Sequence, residues 1–157
     1  MNKRDIMINF TRQQASLSKC KDAKTAAVLV SADMQQIYSI GINGGPKHGT
    51  NCLCSKGDGK AKYSCVHSEM NCLSKNPCIN YVPKILICTK QPCAMCASLI
   101  INSCTNITEV WYIDEYWDNT GIEILGKAGI FVDRLTEYAT EKYCFTGSLL
   151  GEQEINK

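Results

Sequence analysis

The amino-acid sequence predicts a layered α/β domain built on a mixed sheet. Three observations carry that expectation. After Tyr81, short apolar segments alternate with helical patterns, the arrangement that yields parallel strands with crossover helices. Before it, two apolar segments separated by a turn read as a hairpin, so both strand directions occur in one sheet. Finally, 157 residues with 45% hydrophobic side chains suffice for one buried core, and residues 1–157 are read as a single domain.

Each element has a local reason. Ile6, Phe10 and Leu17 recur at helical spacing among Lys, Arg and Gln, which predicts an amphipathic helix over 2–18. Residues 25–30 are apolar and partly β-branched, a buried strand. Asp33 marks a turn, 36–42 forms the second strand, and Asn43-Gly44-Gly45-Pro46 ends it. Residues 46–66 are a polar loop rich in Gly, Lys and Cys, long enough to require a function or a metal to order it. A helix opens near His67. Residues 83–89 read as a third strand, 93–103 as a helix, 108–113 as a fourth strand, 118–127 as a helix stopped by Gly126 and Gly129, and 130–132 as a short fifth strand. The tail from Glu137 onward reads ambiguously, with one more helix as an option.

Charge narrows the partners. Seventeen basic against 15 acidic side chains give a formal net charge of +2, too balanced for a protein whose main partner is nucleic acid. A small anionic substrate stays compatible, since a few local lysines hold one phosphate. Residues 1–14 are polar and lack the apolar centre of a secretory leader, and no stretch has the length of a membrane span. The 11 cysteines then read as thiols and metal ligands of a cytoplasmic protein rather than a disulfide framework. Cys72, Cys78, Cys88, Cys104 and Cys144 are read as core or surface thiols.

Two segments carry the chemistry. His67-Ser68-Glu69 offers an imidazole with a carboxylate two residues on, and Pro92-Cys93-Ala94-Met95-Cys96 offers two thiolates at C-x-x-C spacing. Each is expected where a strand or loop feeds a helix start, so His67, Cys93 and Cys96 can converge on one zinc, with Glu69 as general acid/base and a fourth position open. A redox pair of the thioredoxin type is one alternative for the cysteines, opposed by Pro92 and the upstream His67 and Glu69. A structural zinc is another, opposed by Glu69, which such a site does not need. A core histidine is the plain alternative for His67.

The pairing of H-x-E with P-C-x-x-C resembles the zinc-dependent cytidine deaminase superfamily, and within it the deoxycytidylate (dCMP) deaminase family. His67-Ser68-Glu69-Met70-Asn71 resembles H-A-E-M-N, and Pro92 to Ala97 resembles P-C-x-x-C-A. Ile100-Ile101-Asn102-Ser103 resembles I-I-x-S, and Gly41-Ile42-Asn43-Gly44 resembles G-Y-N-G. Asp118, Gly121, Leu125, Ala128, Gly129 and Ile130 follow the family's D-x-x-G-x-x-L-L-x-x-A-G-I. The likeness covers roughly residues 5–133. Ser68 stands where the family has Ala, Ile42 where it has Tyr, Ala26 where it has Gly, and Gln91 where Ser, Phe or Glu precedes the Pro.

The resemblance implies a three-layer α-β-α domain with a central mixed five-stranded sheet. It also implies hydrolytic deamination of dCMP to dUMP, feeding thymidylate synthesis. Zinc activates a water, and Glu69 moves protons from that water to ring nitrogen 3 and the leaving amine. Asn43 would bind the deoxyribose hydroxyl; Lys21, Lys24 and Tyr116 would meet the rest of the nucleotide. Family members are homo-oligomers (hexamers, trimers or dimers), often with dCTP and dTTP as effectors. The alternatives are a deaminase of another base (dCTP, a modified dCMP or tRNA adenosine) and a zinc-stabilised binding module. Cys20 and Cys52 resemble ligands of a second, structural zinc found in some members, with Cys54 and Cys65 on the same loop and His48 as a substitute ligand.

Overall fold

The structure, a computed structural model, describes residues 2–47, 54, 65–76 and 81–135. It holds α1 (Lys3–Ser16), β1 (Ala26–Ser31), β2 (Ile37–Ile42), α2 (Ser68–Leu73), β3 (Lys84–Lys90), α3 (Ala94–Asn102), β4 (Ile107–Asp114), α4 (Thr120–Lys127) and β5 (Phe131–Arg134). The strands form one sheet in the order β2-β1-β3-β4-β5. β1 is antiparallel to both β2 and β3, whereas β3, β4 and β5 run parallel. The hairpin and the parallel half are therefore as the sequence predicts.

Alternation along the strands separates two apolar layers. Ala27, Leu29, Leu86, Cys88, Val110 and Tyr112 face Cys72 of α2, Ala97 and Ile100 of α3 and Leu125 of α4. Val28, Val30, Ile85, Ile87, Trp111 and Ile113 face the other way, against Met7, Ile8 and Phe10 of α1. β1 and β3 are buried on both faces, which is why both read as continuous apolar runs.

The first helix departs from expectation in its packing face. Ile6 and Leu17 are 43% and 63% exposed. Thr11 and Ala15 are the buried positions, flanked by Met7, Ile8 and Phe10. Small side chains let the helix lie close on β1 and β3, so a stripe chosen by side-chain bulk picks the wrong edge. Asn2 caps α1 through a reciprocal pair with Asp5. Arg4 anchors the helix to the sheet by an ion pair with Asp133 while its guanidinium stacks 4.6 Å from the Trp111 ring centre.

Other boundaries shift by one or two residues. α4 begins at Thr120 because the Asp118 carboxylate accepts from the Thr120 backbone N–H (2.9 Å) and hydroxyl (2.6 Å). It ends in a Schellman pattern: Gly129, at φ +80°, bonds back to Gly126 and Ile130 bonds back to Leu125. Cys104 is disulfide-bonded, correcting the thiol reading; it is exposed just beyond α3, and composition does not reveal which thiols meet. Among the described residues, no helix is long and apolar enough to cross a membrane. The tail from Glu137, Cys78 and Cys144 lie outside the described residues.

Candidate active site

The topology gathers the candidate residues at one end of the sheet. Because β1 opposes β3, the start of β1 and the end of β2 lie beside the carboxyl end of β3, with Ala26 opposite Ile42 and Ala27 opposite Cys88. The parallel β4 ends there too. Ligand sites of parallel sheets sit outside the carboxyl ends of strands.

His67 is the N-cap of α2 and Cys93 the N-cap of α3. Each cap turns its side chain back toward the shared end of the sheet, and Cys96 follows one helical turn after Cys93. Two close approaches fix these helices. A Cβ on Gly41 would fall 2.0 Å from the Ser68 carbonyl oxygen, so only glycine lets β2 touch α2. A Cβ on Gly121 would fall 2.1 Å from the Pro92 carbonyl oxygen, so α4 packs directly on the Pro92-Cys93 turn. Val66, just before His67, is tied to Gly44 by a two-way backbone bridge, and Asn71 donates to the Ile42 carbonyl at 2.7 Å.

The imidazole Nδ1 of His67 lies 3.6 Å from Cys93 Sγ and 3.4 Å from Cys96 Sγ. A tetrahedral zinc with ordinary Zn–N and Zn–S bonds separates such ligand atoms by about 3.6 Å. The triad therefore fits a zinc ion, for which imidazole and thiolates are ordinary donors. The three ligand atoms all lie within 4.8 Å of one another. Without a metal the three groups share protons among themselves. Hydrogen bonds from Cys96 and His67 lower the Cys93 thiol to about 4. The bond with Cys93 raises His67, and the same thiolate raises Cys96.

Glu69 sits on the first turn of α2, 6% exposed. Burial raises its carboxyl above the ordinary carboxylate range. A raised carboxyl beside a cluster of metal-binding side chains suits a group that takes up and gives back protons. Ser68 Oγ donates to Glu69 Oε2 at 3.1 Å. Buried Cys72 and Cys88 have thiols pushed up by burial, Cys72 to about 11, and behave as core side chains.

The outlying candidates divide. Asn43 is buried at the same end; its Nδ2 donates to the Ala23 carbonyl (2.7 Å) and toward Cys65 Sγ (3.8 Å), and its Oδ1 accepts from the Thr25 N–H (2.8 Å). One lone pair of Oδ1 is left for a ligand. Lys21 and Lys24 are exposed on the preceding loop, with Lys24 Nζ 3.4 Å from the Ser16 carbonyl oxygen. Tyr116 is half-buried beyond β4, its ring 5.5 Å from Lys90 Nζ.

Gln91 was legible only as a departure from a motif, yet it organises this rim. It is 3% exposed, donates from Nε2 to Asp118 O (3.0 Å) and Asn119 Oδ1 (3.2 Å), and accepts from the Tyr116 N–H (3.4 Å). It thus holds the loop between β4 and α4 against the Pro92-Cys93 turn.

A second cluster forms beside the first. The sulfurs of Cys20, Cys54 and Cys65 also lie within 4.8 Å of one another and can hold a metal ion. Cys52 and His48 lie outside the described residues.

Comparison with known proteins accords with this geometry. The deoxycytidylate deaminase of Saccharomyces cerevisiae is 31% identical over 128 residues, 75% of this chain and 40% of that protein. The chain thus spans less than half the length of that relative. The dCMP deaminase of cyanophage S-TIM5, solved in complex with dCMP and dUMP, superposes with a TM-score of 0.74 at 28% identity, covering 84% of this chain and 96% of that one. The Aspergillus oryzae Rib2 deaminase, in a C-terminal deletion mutant, shares the fold at a TM-score of 0.57 and 17% identity, with 83% of each chain covered. The family model for the cytidine and deoxycytidylate deaminase zinc-binding region matches residues 1–113, and with both ligand segments inside that match the chain belongs to this family of deaminases.

Proposed function

We propose that the protein is a zinc-dependent dCMP deaminase that converts dCMP to dUMP and ammonia, supplying deoxyuridylate for thymidylate synthesis. The observation that carries this reading is the buried Glu69 carboxyl beside the convergent His67, Cys93 and Cys96 ligand atoms. The choice of substrate is supported by the names of the relatives, one of which was solved with dCMP and dUMP. His67 Nδ1 and the Cys93 and Cys96 sulfurs would hold a zinc ion, which would supply Lewis acidity toward a water. Glu69 takes a proton from that water and hands it to ring nitrogen 3 as the water oxygen joins carbon 4. It then carries the second proton to the exocyclic amine, the C–N bond breaks, and ammonia leaves. Asn43 accepts from the deoxyribose hydroxyl through its remaining Oδ1 lone pair. Lys21 and Lys24 face the phosphate, and Tyr116 borders the ring.

Cys20, Cys54 and Cys65 would hold a second, structural zinc; Cys52, the fourth thiol expected from the sequence, lies outside the described residues. Three sulfurs already gathered around one point favour a closed thiolate site. The same reading takes a homo-oligomer as the working form and dCTP and dTTP as effectors.

Ammonia release by zinc-replete protein across dCMP, 5-hydroxymethyl-dCMP, dCTP, deoxycytidine and adenosine tests the substrate. The reading expects the highest kcat/KM on dCMP. A higher value on adenosine, or no release from any cytosine nucleotide, contradicts it. Repeating the dCMP assay with dCTP and dTTP, alongside sedimentation velocity, tests the effectors and assembly.

A further inference from the structure

Ser68 lies between the metal ligand His67 and the proton carrier Glu69, where the resembling motif has alanine. The residue is 2% exposed, and its hydroxyl donates to Glu69 Oε2 at 3.1 Å. Its backbone is pinned as well: the Ser68 carbonyl oxygen is the atom that Gly41 approaches too closely to allow any side chain. We infer that Ser68 is a positioning residue that fixes the Glu69 carboxylate, holding Oε2 and leaving Oε1 as the oxygen that exchanges protons with water and base. This rests on the reading of Glu69 as the proton carrier.

A carboxylate turns about its terminal bond over a broad, two-fold range, and Glu69 is buried, 6% exposed. The Glu69 backbone N–H also bonds this carboxyl, and the Ser68 hydroxyl on Oε2 adds the side-chain donor that selects one orientation and makes the two oxygens inequivalent. Proton shuttling needs the same oxygen to meet the water first and the ring nitrogen next, so a fixed orientation favours every turnover. Motif members with alanine lack this donor, and the smaller side chain fits the same space, so Ser68→Ala leaves the fold intact.

The test is steady-state deamination of dCMP by zinc-loaded wild type, Ser68→Ala, Glu69→Gln and the double variant, with zinc content measured for each. Loss of one hydrogen bond to an ionised carboxylate predicts that Ser68→Ala lowers kcat about 10-fold or more. KM should stay within about twofold, because the bond touches no substrate atom. In the Glu69→Gln background the same change should have no effect, since the group it positions no longer carries protons. Wild-type kcat in Ser68→Ala, a change confined to KM, or an equal loss in both backgrounds overturns the inference while leaving Glu69 in its role. Near-normal turnover by zinc-loaded Glu69→Gln overturns the functional reading and this inference with it.

Discussion

Burial of the Glu69 carboxyl sets its proton affinity against stability at a single residue. Burial raises its carboxyl, so the folded chain binds this proton more tightly than the unfolded chain does. The sign follows: stability from this group is greatest below the ordinary carboxylate range and is lost as pH rises through the raised value. Zinc-free Glu69→Gln, which has no charge to bury, should therefore melt higher than zinc-free wild type at neutral pH, and the gap should close toward acid. Thermal melts across pH check this; a lower melting temperature for the variant at neutral pH would contradict it. At this scale the sequence was informative where chemistry depends on residue type. His67, Glu69, Cys93 and Cys96 are recognisable because few other side chains bind zinc or shuttle protons. Gln91 and Ser68 were not recognisable in their roles, because a hydrogen-bond partner is decided by tertiary neighbours. The inward wiring of Asn43 to Ala23 and Thr25 was hidden for the same reason.

Among the elements, Gly41 and Gly121 translate helix position into site geometry. Gly121 sits where α4 meets the Pro92 carbonyl, and any Cβ there pushes the helix or the Cys93 turn away. Gly121→Ala should cost about 1–3 kcal/mol by overpacking and weaken zinc retention. Gly126, on the same helix, has nothing within 4 Å of a built Cβ. Gly126→Ala should instead stabilise by about 0.4–1 kcal/mol through the unfolded chain. Denaturant melts of both variants, with zinc analysis of the first, check the contrast; equal effects would mean that the contact at Pro92 does not matter. The hairpin, the parallel half and the helix that follows each ligand segment were readable from apolar runs and turn residues. The packing face of α1 was not, because Thr11 and Ala15 are chosen for closeness to the sheet rather than for apolar bulk.

Across the whole molecule, one end of the sheet bears both thiolate clusters, and Cys65-Val66-His67 joins them through the chain. Cys65 belongs to the second cluster, Val66 bridges to Gly44, and His67 belongs to the first. A structural zinc at the second cluster would hold the approach to the catalytic one and tie it to the loop that bears Lys21 and Lys24. Two zinc ions per chain are expected after zinc-replete expression. Cys20→Ser should lose about one of them and lower the melting temperature, since metal binding adds directly to folding free energy, while the ion held by His67, Cys93 and Cys96 stays. Plasma emission analysis with thermal melts checks both; one zinc in wild type and variant alike would remove the second site.

The most direct measurement of the central claim is the conversion of dCMP by the purified zinc-replete protein, with dUMP resolved by chromatography and ammonia counted in parallel. The account predicts equal amounts of dUMP and ammonia, loss of both on chelation with recovery on adding zinc, and a fall of at least about 100-fold in zinc-loaded Glu69→Gln. Unchanged dCMP with zinc bound at His67, Cys93 and Cys96, or undiminished turnover without Glu69, would contradict it.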